Sequence, residues 1–274
     1  MKSVTVAFIG GGNMACSLIG GLLHTGYQPN KVWVSDPHEE KLAKLATQYK
    51  IHTTQHNSEA LTQADVVVFA VKPQNMRQAV TAAATIIRAK KPLIISIAAG
   101  ITVSAIQSWL DFELPIIRCM PNIPAMVGSG ATALYADVHT QQAQKEIAES
   151  LMRSVGLAIW VDHEQQLNVV TALSGSGPAY FFLVMEALQQ AAETLGLTHQ
   201  QARLLTVQTA LGAARLALET EQPITELRDS VTSKGGTTEQ GVKVLQENNV
   251  PELFAKALQA AKYKAVEMSK SFIS

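Results

Sequence analysis

The chain has 274 residues, 47% of them hydrophobic and 16% charged, which is enough for one large domain or two smaller ones. Lys plus Arg and Asp plus Glu number 22 each, and aromatic residues make up 5%. This balance gives no support for a nucleic-acid partner, an acidic membrane surface or a base-stacking platform.

The first half of the chain alternates short apolar runs with helical periodicity. The predicted strands are Val4–Ile9, Lys31–Ser35, Val66–Val71, Leu93–Ile97, Ile116–Cys119, Leu134–Ala136 and Ala158–Val161. The predicted helices are Asn13–His24, His38–Tyr49, Gln74–Ile87, Val103–Leu110 and Thr140–Ser154. This order predicts an α/β fold with a parallel sheet and helices on both faces.

After about residue 163 only helical patterns remain. Pro178 opens a long apolar helix that ends near Gly196, and Thr198 caps the next one, at about Gln200 to Glu219. Shorter helices follow Pro223, Thr237 and Pro251. The segment Gln208–Ala217 carries small residues on several faces, as a buried helix does. We therefore predict an all-helical domain over residues 163–274 that forms a homodimer or a larger homo-oligomer.

The apolar run Val4–Ile9 after Lys2 could be mistaken for a signal peptide. It breaks at three glycines, however, and no clear cleavage region follows. No apolar stretch approaches the roughly 18 to 20 residues of a membrane span. Cys16 and Cys119 have neither CxxC nor metal-ligand spacing. We predict a cytoplasmic protein with reduced thiols, no metal and no membrane partner.

A Gly-rich turn, Gly10-Gly11-Gly12-Asn13-Met14-Ala15, follows the first strand and opens the first helix. In this context Gly10 permits the tight turn, Gly12 lets a pyrophosphate approach the backbone, and Ala15 allows close helix–strand packing. Residues 1–162 are therefore predicted to form a Rossmann-type dinucleotide-binding domain.

The ends of the other strands should line the same crevice. Asp36, after Ser35, either accepts a hydrogen bond from the adenosine ribose or caps the next helix, and both interpretations stay open. The choice between NADH and NADPH is therefore open as well. The other predicted cofactor-binding residues at strand ends are Ala70, Val71, Lys72, Pro73, Ala98, Ala99, Met120 and Asn122.

A second Gly-rich turn lies near the other end of the chain. Gly235 and Gly236 are flanked by the hydroxyls of Ser233, Thr237 and Thr238, and a helical pattern follows at once. A turn that opens a helix presents unpaired N–H groups and the positive end of the helix dipole, which suits an anion. An ordinary capped loop is the alternative. Two such turns suggest two anionic ligands that meet in one cleft.

The chain resembles the pyrroline-5-carboxylate reductase family almost from end to end. The resemblance is carried by the segments Phe8–Ala15, Ala70–Pro73, Ser96–Gly100, Arg118–Asn122, Leu173–Tyr180 and Ser233–Thr238. The last two are highly specific. It implies a Rossmann-type domain followed by a helical dimerisation domain. Many members carry proline where Lys234 stands.

The resemblance also implies a reaction and residue roles. NADPH or NADH would reduce the C=N bond of 1-pyrroline-5-carboxylate to L-proline. By similarity Asn57 would contact the adenosine side of the cofactor, and Glu164, Thr237 and Thr238 would line the substrate pocket. We expect Thr238 to be the catalytic residue, bonding the carboxylate or the ring nitrogen and relaying its proton, unless a water does so.

Two other functions remain open from the residues. A β-hydroxyacid dehydrogenase has a similar layout, but it commonly uses a Lys on the helix after the domain junction, and residues 178–196 contain none. A non-catalytic NAD(P)-sensing protein would bind the cofactor without turnover.

Overall fold

The computed structural model describes residues 4–272 and divides the chain into two compact units. One unit contains the residues up to Ser176 together with those from Ala260 onward, and the other contains Gly177–Gln259. The predicted domain boundary after residue 162 marks the change from strands to helices, and it stays a prediction.

The first unit is built on an eight-stranded sheet in the order β3-β2-β1-β4-β5-β6-β7-β8. The strands are β1 Val6–Ile9, β2 Val32–Ser35, β3 His52–Thr54, β4 Val66–Phe69, β5 Leu93–Ser96, β6 Ile116–Met120, β7 Gly130–Ala136 and β8 Gly156–Trp160. All neighbouring strands except β6 and β7 pair in parallel, which confirms the predicted α/β class.

One pair departs from the expected parallel sheet, because β6 and β7 are antiparallel, with Cys119 opposite Leu134. The connection between them is only a short 3₁₀ turn, Ile123–Val127. A parallel pair needs a crossover of a dozen or more residues, so this short connection permits only the antiparallel arrangement.

Helices cover both faces of the sheet. They are α1 Asn13–His24, α2 Glu39–Tyr49, α3 Asn57–Gln63, α4 Pro73–Lys90, α5 Val103–Leu110 and α6 Gln142–Arg153. Along β1, Val6 and Phe8 join the core with α1, α2 and α6, whereas Ala7 and Ile9 join the core with α3, α4 and α5. Burial on both faces explains why the strands are continuous apolar runs.

The short elements β3 and α3 were not predicted. The strand His52–Thr54 has only three residues, none of them strongly apolar, and it pairs with β2 at the edge of the sheet. An edge strand this short carries almost no periodicity, so the sequence offers no signal for it.

The elements after β8 are helical throughout the described part of the chain, as predicted. They are α7 Gln166–Val170, a π-helical turn Thr171–Gly175, α8 Gly177–Thr194, α9 His199–Glu219, α10 Ile224–Ser230, α11 Thr237–Glu247 and α12 Val250–Ser271. Thr198 caps α9 as expected, with its hydroxyl accepting from the N–H of Gln201.

The end of α12 belongs to the first unit because it packs there. Ala265 and Ser269 are buried, and Phe272 packs against the core that contains α3, α4 and α5.

By length and composition, the continuous helical stretch Gln166–Thr194 could cross a membrane, with a mean hydropathy of 1.3 over its best window. This corrects the expectation that no stretch approaches a membrane span. The run was missed because Ser174, Gly175 and Ser176 interrupt the apolar sequence, although the backbone there stays helical.

Candidate active site

The turn between β1 and α1 has the geometry of a phosphate-binding loop. Gly10 has φ +106°, and a Cβ there would lie 2.8 Å from the carbonyl oxygen of Ala70, so only glycine fits. A Cβ on Gly12 would meet nothing within 4 Å, which leaves open space at the start of α1. Among the described residues, the N–H groups of Asn13 and Met14 have no acceptor. The turn therefore fits a pyrophosphate.

The sheet order puts this turn at the point where the strand order reverses. β1 lies between β2 and β4, and the close approach of Gly10 to Ala70 brings the ends of β1 and β4 together. Ligands of open α/β sheets bind at such a switch point. Of the predicted residues after β4, Lys72 is exposed and is the N-cap of α4, whose first residue is Pro73.

Asp36 braces the Gly-rich turn, a role that neither sequence interpretation anticipated. Its Oδ2 accepts from the N–H of Gly11 at 2.9 Å, and its Oδ1 accepts from the N–H of His38 at 3.0 Å and contacts the His38 ring at 2.7 Å. Lys41 lies 3.6 Å from Oδ2. Burial alone would raise the pKa of Asp36, but these hydrogen bonds and the Lys41 charge together lower it.

Two predicted cofactor residues meet beside Asp36. The Ser35 hydroxyl donates to the amide oxygen of Asn57 at 2.6 Å, and Asn57 is the first residue of α3. Asp36 already accepts three contacts, and Ser35 is buried with its hydroxyl engaged. Of the three side chains, the half-buried Asn57 is therefore the most accessible from outside.

The remaining predicted cofactor residues at strand ends are buried or half-buried. Ala98 is buried and Ala99 half-buried after β5, and Met120 ends β6. The side chain of Asn122 links two segments of the chain. It donates to the carbonyl of Ser174 at 3.1 Å and accepts from the N–H of Ala131 at 2.8 Å. It therefore holds the π-helical turn Thr171–Gly175 beside the end of β6.

Glu164 is not a solvated acid, because its carboxylate is held inside the first unit. Its Oε1 accepts from Arg118 on β6 at 2.8 Å and from the N–H of Val103 at the start of α5 at 2.7 Å. The two charged side chains are only 8% and 18% exposed. Arg118 was not among the predicted site residues, although a lone arginine within the apolar run Ile116–Met120 indicates a buried acidic partner.

The second Gly-rich turn precedes α11. Gly235 has φ +73°, and Gly236 is the N-cap without a side-chain hydrogen bond to the helix. The N–H of Gly236 donates to the carbonyl of Ser233 at 3.0 Å, and that of Gly235 donates to Glu239 at 2.8 Å. These two N–H groups are thus engaged within the turn.

Two backbone N–H groups without an acceptor among the described residues belong to the residues that follow the glycine pair. Within residues 4–272, no acceptor is found for the N–H groups of Thr237 and Thr238, and both residues are exposed. They stand in the first turn of α11, where the helix dipole favours an anion. The N–H groups open to an anion in this turn are therefore those of Thr237 and Thr238, and not those of the two glycines.

A cavity of about 530 Å³ lies beside the turn. It is lined by Arg228, Asp229, Thr232, Glu239, Gln240, Val242, Lys243 and Gln246. Its basic side chains are paired, Arg228 with Asp229 and Lys243 with Glu247, so they already have acidic partners.

Across the described range 4–272, no cluster of three or more His, Cys, Asp or Glu side chains is placed to hold a metal ion. Cys16 and Cys119 are free thiols, and burial raises the pKa of both. Neither is a reactive thiolate at neutral pH.

A parallel sheet with a glycine-rich turn at the point where its strand order reverses is typical of nicotinamide-dinucleotide-dependent oxidoreductases. Residues 5–100 match a family model described as NADP oxidoreductase, coenzyme F420-dependent, and residues 164–268 match one described as pyrroline-5-carboxylate reductase dimerisation. The chain belongs to the pyrroline-5-carboxylate reductase family.

Relatives support this assignment over the whole length. A pyrroline-5-carboxylate reductase of Pseudomonas aeruginosa is 47% identical over 98% of both chains. A solved pyrroline-5-carboxylate reductase of Coxiella burnetii has a TM-score of 0.94 and 50% identity over 97% of this chain and 99% of its own. A Plasmodium falciparum pyrroline carboxylate reductase, solved with NADP bound, has a TM-score of 0.86 and 25% identity over 98% of this chain and 99% of its own.

Proposed function

We propose that this chain catalyses the NAD(P)H-dependent reduction of 1-pyrroline-5-carboxylate to L-proline, the last step of proline biosynthesis. The reduced nicotinamide supplies a hydride to the imine carbon, and one proton is added to the ring nitrogen. The observation that carries the proposal is full-length similarity to reductases of this name, together with a second anion-binding turn that the dinucleotide does not need.

The dinucleotide would be held by the first unit. The N–H groups of Asn13 and Met14 would bind the pyrophosphate beside Gly10, Gly11 and Gly12. Asn57 would contact the adenosine ribose, with Ser35 orienting its amide. The residues after β4, β5 and β6 would line the nicotinamide side. Asp36 would act indirectly by holding Gly11.

The substrate carboxylate would bind at the start of α11. The N–H groups of Thr237 and Thr238 would hold it, while Gly235, Gly236 and Ser233 give the turn its shape. The hydroxyl of Thr238 would bond the carboxylate or the ring nitrogen and relay the proton. A protonated imine is already electrophilic, so positioning is the main demand on the protein.

Glu164 is proposed to shape the substrate pocket rather than to act as a free charge. Arg118 offsets its carboxylate charge, which weakens any electrostatic effect on the positive ring nitrogen.

The dimerisation match makes this chain part of a homo-oligomer that acts on a small molecule, and we propose a homodimer or larger ring formed through the C-terminal helices. On α8, Phe181, Phe182 and Leu183 are 64% to 67% exposed. Adjacent exposed apolar side chains of this size are typical of an interaction surface. We propose that a second subunit, and not lipid, covers this helix, and that the protein is cytoplasmic without a nucleic-acid partner.

The direct test follows NADPH absorbance in both directions: its loss when NADPH is supplied with 1-pyrroline-5-carboxylate, and its formation when NADP+ is supplied with 3-hydroxy acids as control substrates. We expect turnover with the imine alone. Turnover only with a hydroxy acid would indicate an alcohol dehydrogenase, and cofactor binding without any turnover would indicate a sensor. Comparing kcat/KM for NADPH and NADH in the same assay settles the coenzyme preference that the residues leave open.

A further inference from the structure

We infer that Glu239 is a positioning residue that holds the substrate-binding turn in its working shape. The inference rests on the proposed function, because it concerns the turn proposed to bind the substrate carboxylate. Its basis is the hydrogen bond from the N–H of Gly235 to Oε2 of Glu239, which spans 2.8 Å.

The turn needs such a hold because two consecutive glycines have large conformational freedom. Gly235 is in the left-handed region at φ +73°, and Gly236 is extended at φ −85°. The N–H of Gly236 is fixed by Ser233, so Glu239 fixes the one N–H that would otherwise be free within the glycine pair. Ordering both residues in advance removes an entropic cost from substrate binding.

The position of Glu239 is unusual for an acid in the first turn of a helix. As the third residue of α11, it would ordinarily bond the N–H of the N-cap, Gly236. Here it bonds Gly235, one residue earlier, because the N–H of Gly236 already donates to Ser233. The carboxylate thus links the helix to the turn that precedes it.

Glu239 has no cationic partner in the described part of the chain. Lys243, one helical turn on, pairs with Glu247 at 3.8 Å, and Arg228 pairs with Asp229 at 2.6 Å. The backbone N–H and the helix N-terminus therefore stabilise its charge. By itself that charge would repel a substrate carboxylate, so the benefit of Glu239 lies in the hydrogen bond.

Lys234 does not restrict the backbone before the glycine pair, which leaves that task to the hydrogen bond between Gly235 and Glu239. It is not proline, so its φ is free, and within residues 4–272 its N–H donates to no acceptor. Replacing it with proline would remove no hydrogen bond and would restrict the backbone next to Gly235. The chain therefore offers a second, independent way to stiffen the same turn.

The test is steady-state kinetics at saturating NADPH on four variants. We expect Glu239→Ala to raise the KM for 1-pyrroline-5-carboxylate about fivefold, the scale of one hydrogen bond, with kcat within about twofold of wild type. Glu239→Gln keeps an acceptor and loses the charge, so its KM should stay at or below the wild-type value. Glu252→Ala, which removes an exposed acid from the first turn of α12 and leaves the Lys243–Glu247 pair intact, is the matched control.

The fourth variant, Lys234→Pro in the Glu239→Ala background, should recover at least half of the lost affinity on a logarithmic scale. Circular dichroism and Tm confirm that each variant is folded. An unchanged KM in Glu239→Ala, equal losses in the Ala and Gln variants, or no recovery by proline would overturn the inference. Absence of wild-type turnover would instead refute the proposed function.

Discussion

Thr238 is the residue on which the proposed chemistry depends most. It stands in the first turn of α11, is exposed, and combines a free N–H with a hydroxyl. Sequence reasoning identified it from the flanking hydroxyls and from the resemblance. The sequence could not show that the N–H groups of Gly235 and Gly236 donate within the turn. That depends on the positions of Ser233 and Glu239 in the folded chain.

Thr238→Ala is expected to lower kcat/KM by roughly 10- to 1000-fold, the scale of one lost positioning or proton-transfer contact. The variant keeps the backbone N–H, so binding of the carboxylate should partly survive. Steady-state assays with the imine measure this. Activity within a factor of two of wild type would remove Thr238 from the site.

Asp36 gives a pH dependence whose sign follows from its contacts. Its pKa is lowered in the folded chain because the hydrogen bonds from Gly11 and His38, with the Lys41 charge, outweigh the effect of burial. The stability that it contributes is therefore present above the ordinary carboxyl pKa and is lost as the pH falls through its lowered value.

Asp36→Asn should accordingly reduce the free energy of unfolding by about 1 to 2 kcal/mol at pH 7, the scale of hydrogen bonds to a charged group. The difference from wild type should shrink toward pH 3. Urea titrations at both pH values measure it. A difference that is independent of pH would contradict this assignment.

At the scale of elements, long apolar strands were predictable and short polar ones were not. β1, β4 and β5 are buried on both faces, so each is a continuous apolar run that the sequence pattern predicts as a strand. β3 is a three-residue edge strand, and the antiparallel β7 depends on a short 3₁₀ connection. Those features are set by tertiary pairing, which a local pattern does not encode.

The Arg118–Glu164 pair joins three elements: β6, the start of α5 and the segment that leads into α7. Sequence reasoning found the acid but not the base, because the two are distant in the chain. Their link also explains why Arg118 is tolerated inside an apolar strand.

Removing one partner, by Arg118→Met or Glu164→Gln, should destabilise the chain by about 3 kcal/mol, because a buried charge is left uncompensated. The double variant should lose clearly less than the sum of the two. Denaturation at pH 7 of all four proteins closes the cycle. Additive losses would show that the two side chains do not depend on each other.

At the scale of the whole molecule, apolar side chains of α8 are exposed in the single chain, and we propose that a second subunit covers them. The sequence predicted an oligomer from small-residue helices, and the exposed side chains of α8 are the ones that we propose for its interface.

Phe182→Asp is expected to shift the protein toward the monomer, because a charge would be buried in the proposed interface. Light scattering at micromolar concentrations should give at least twice the chain mass for wild type. Val138→Asp, at a residue that is 91% exposed in the first unit, is the control and should keep the wild-type mass. A monomeric wild type would refute the homo-oligomer.

The central claim, hydride delivery to a cyclic imine carboxylate, is tested most directly by label transfer. The enzyme is supplied with 1-pyrroline-5-carboxylate and NADPH that carries deuterium at both C4 positions, and the product is analysed by mass spectrometry. The account predicts L-proline one mass unit heavier, with the deuterium on the former imine carbon. Unlabelled proline, or oxidation of NADPH without proline, would contradict it.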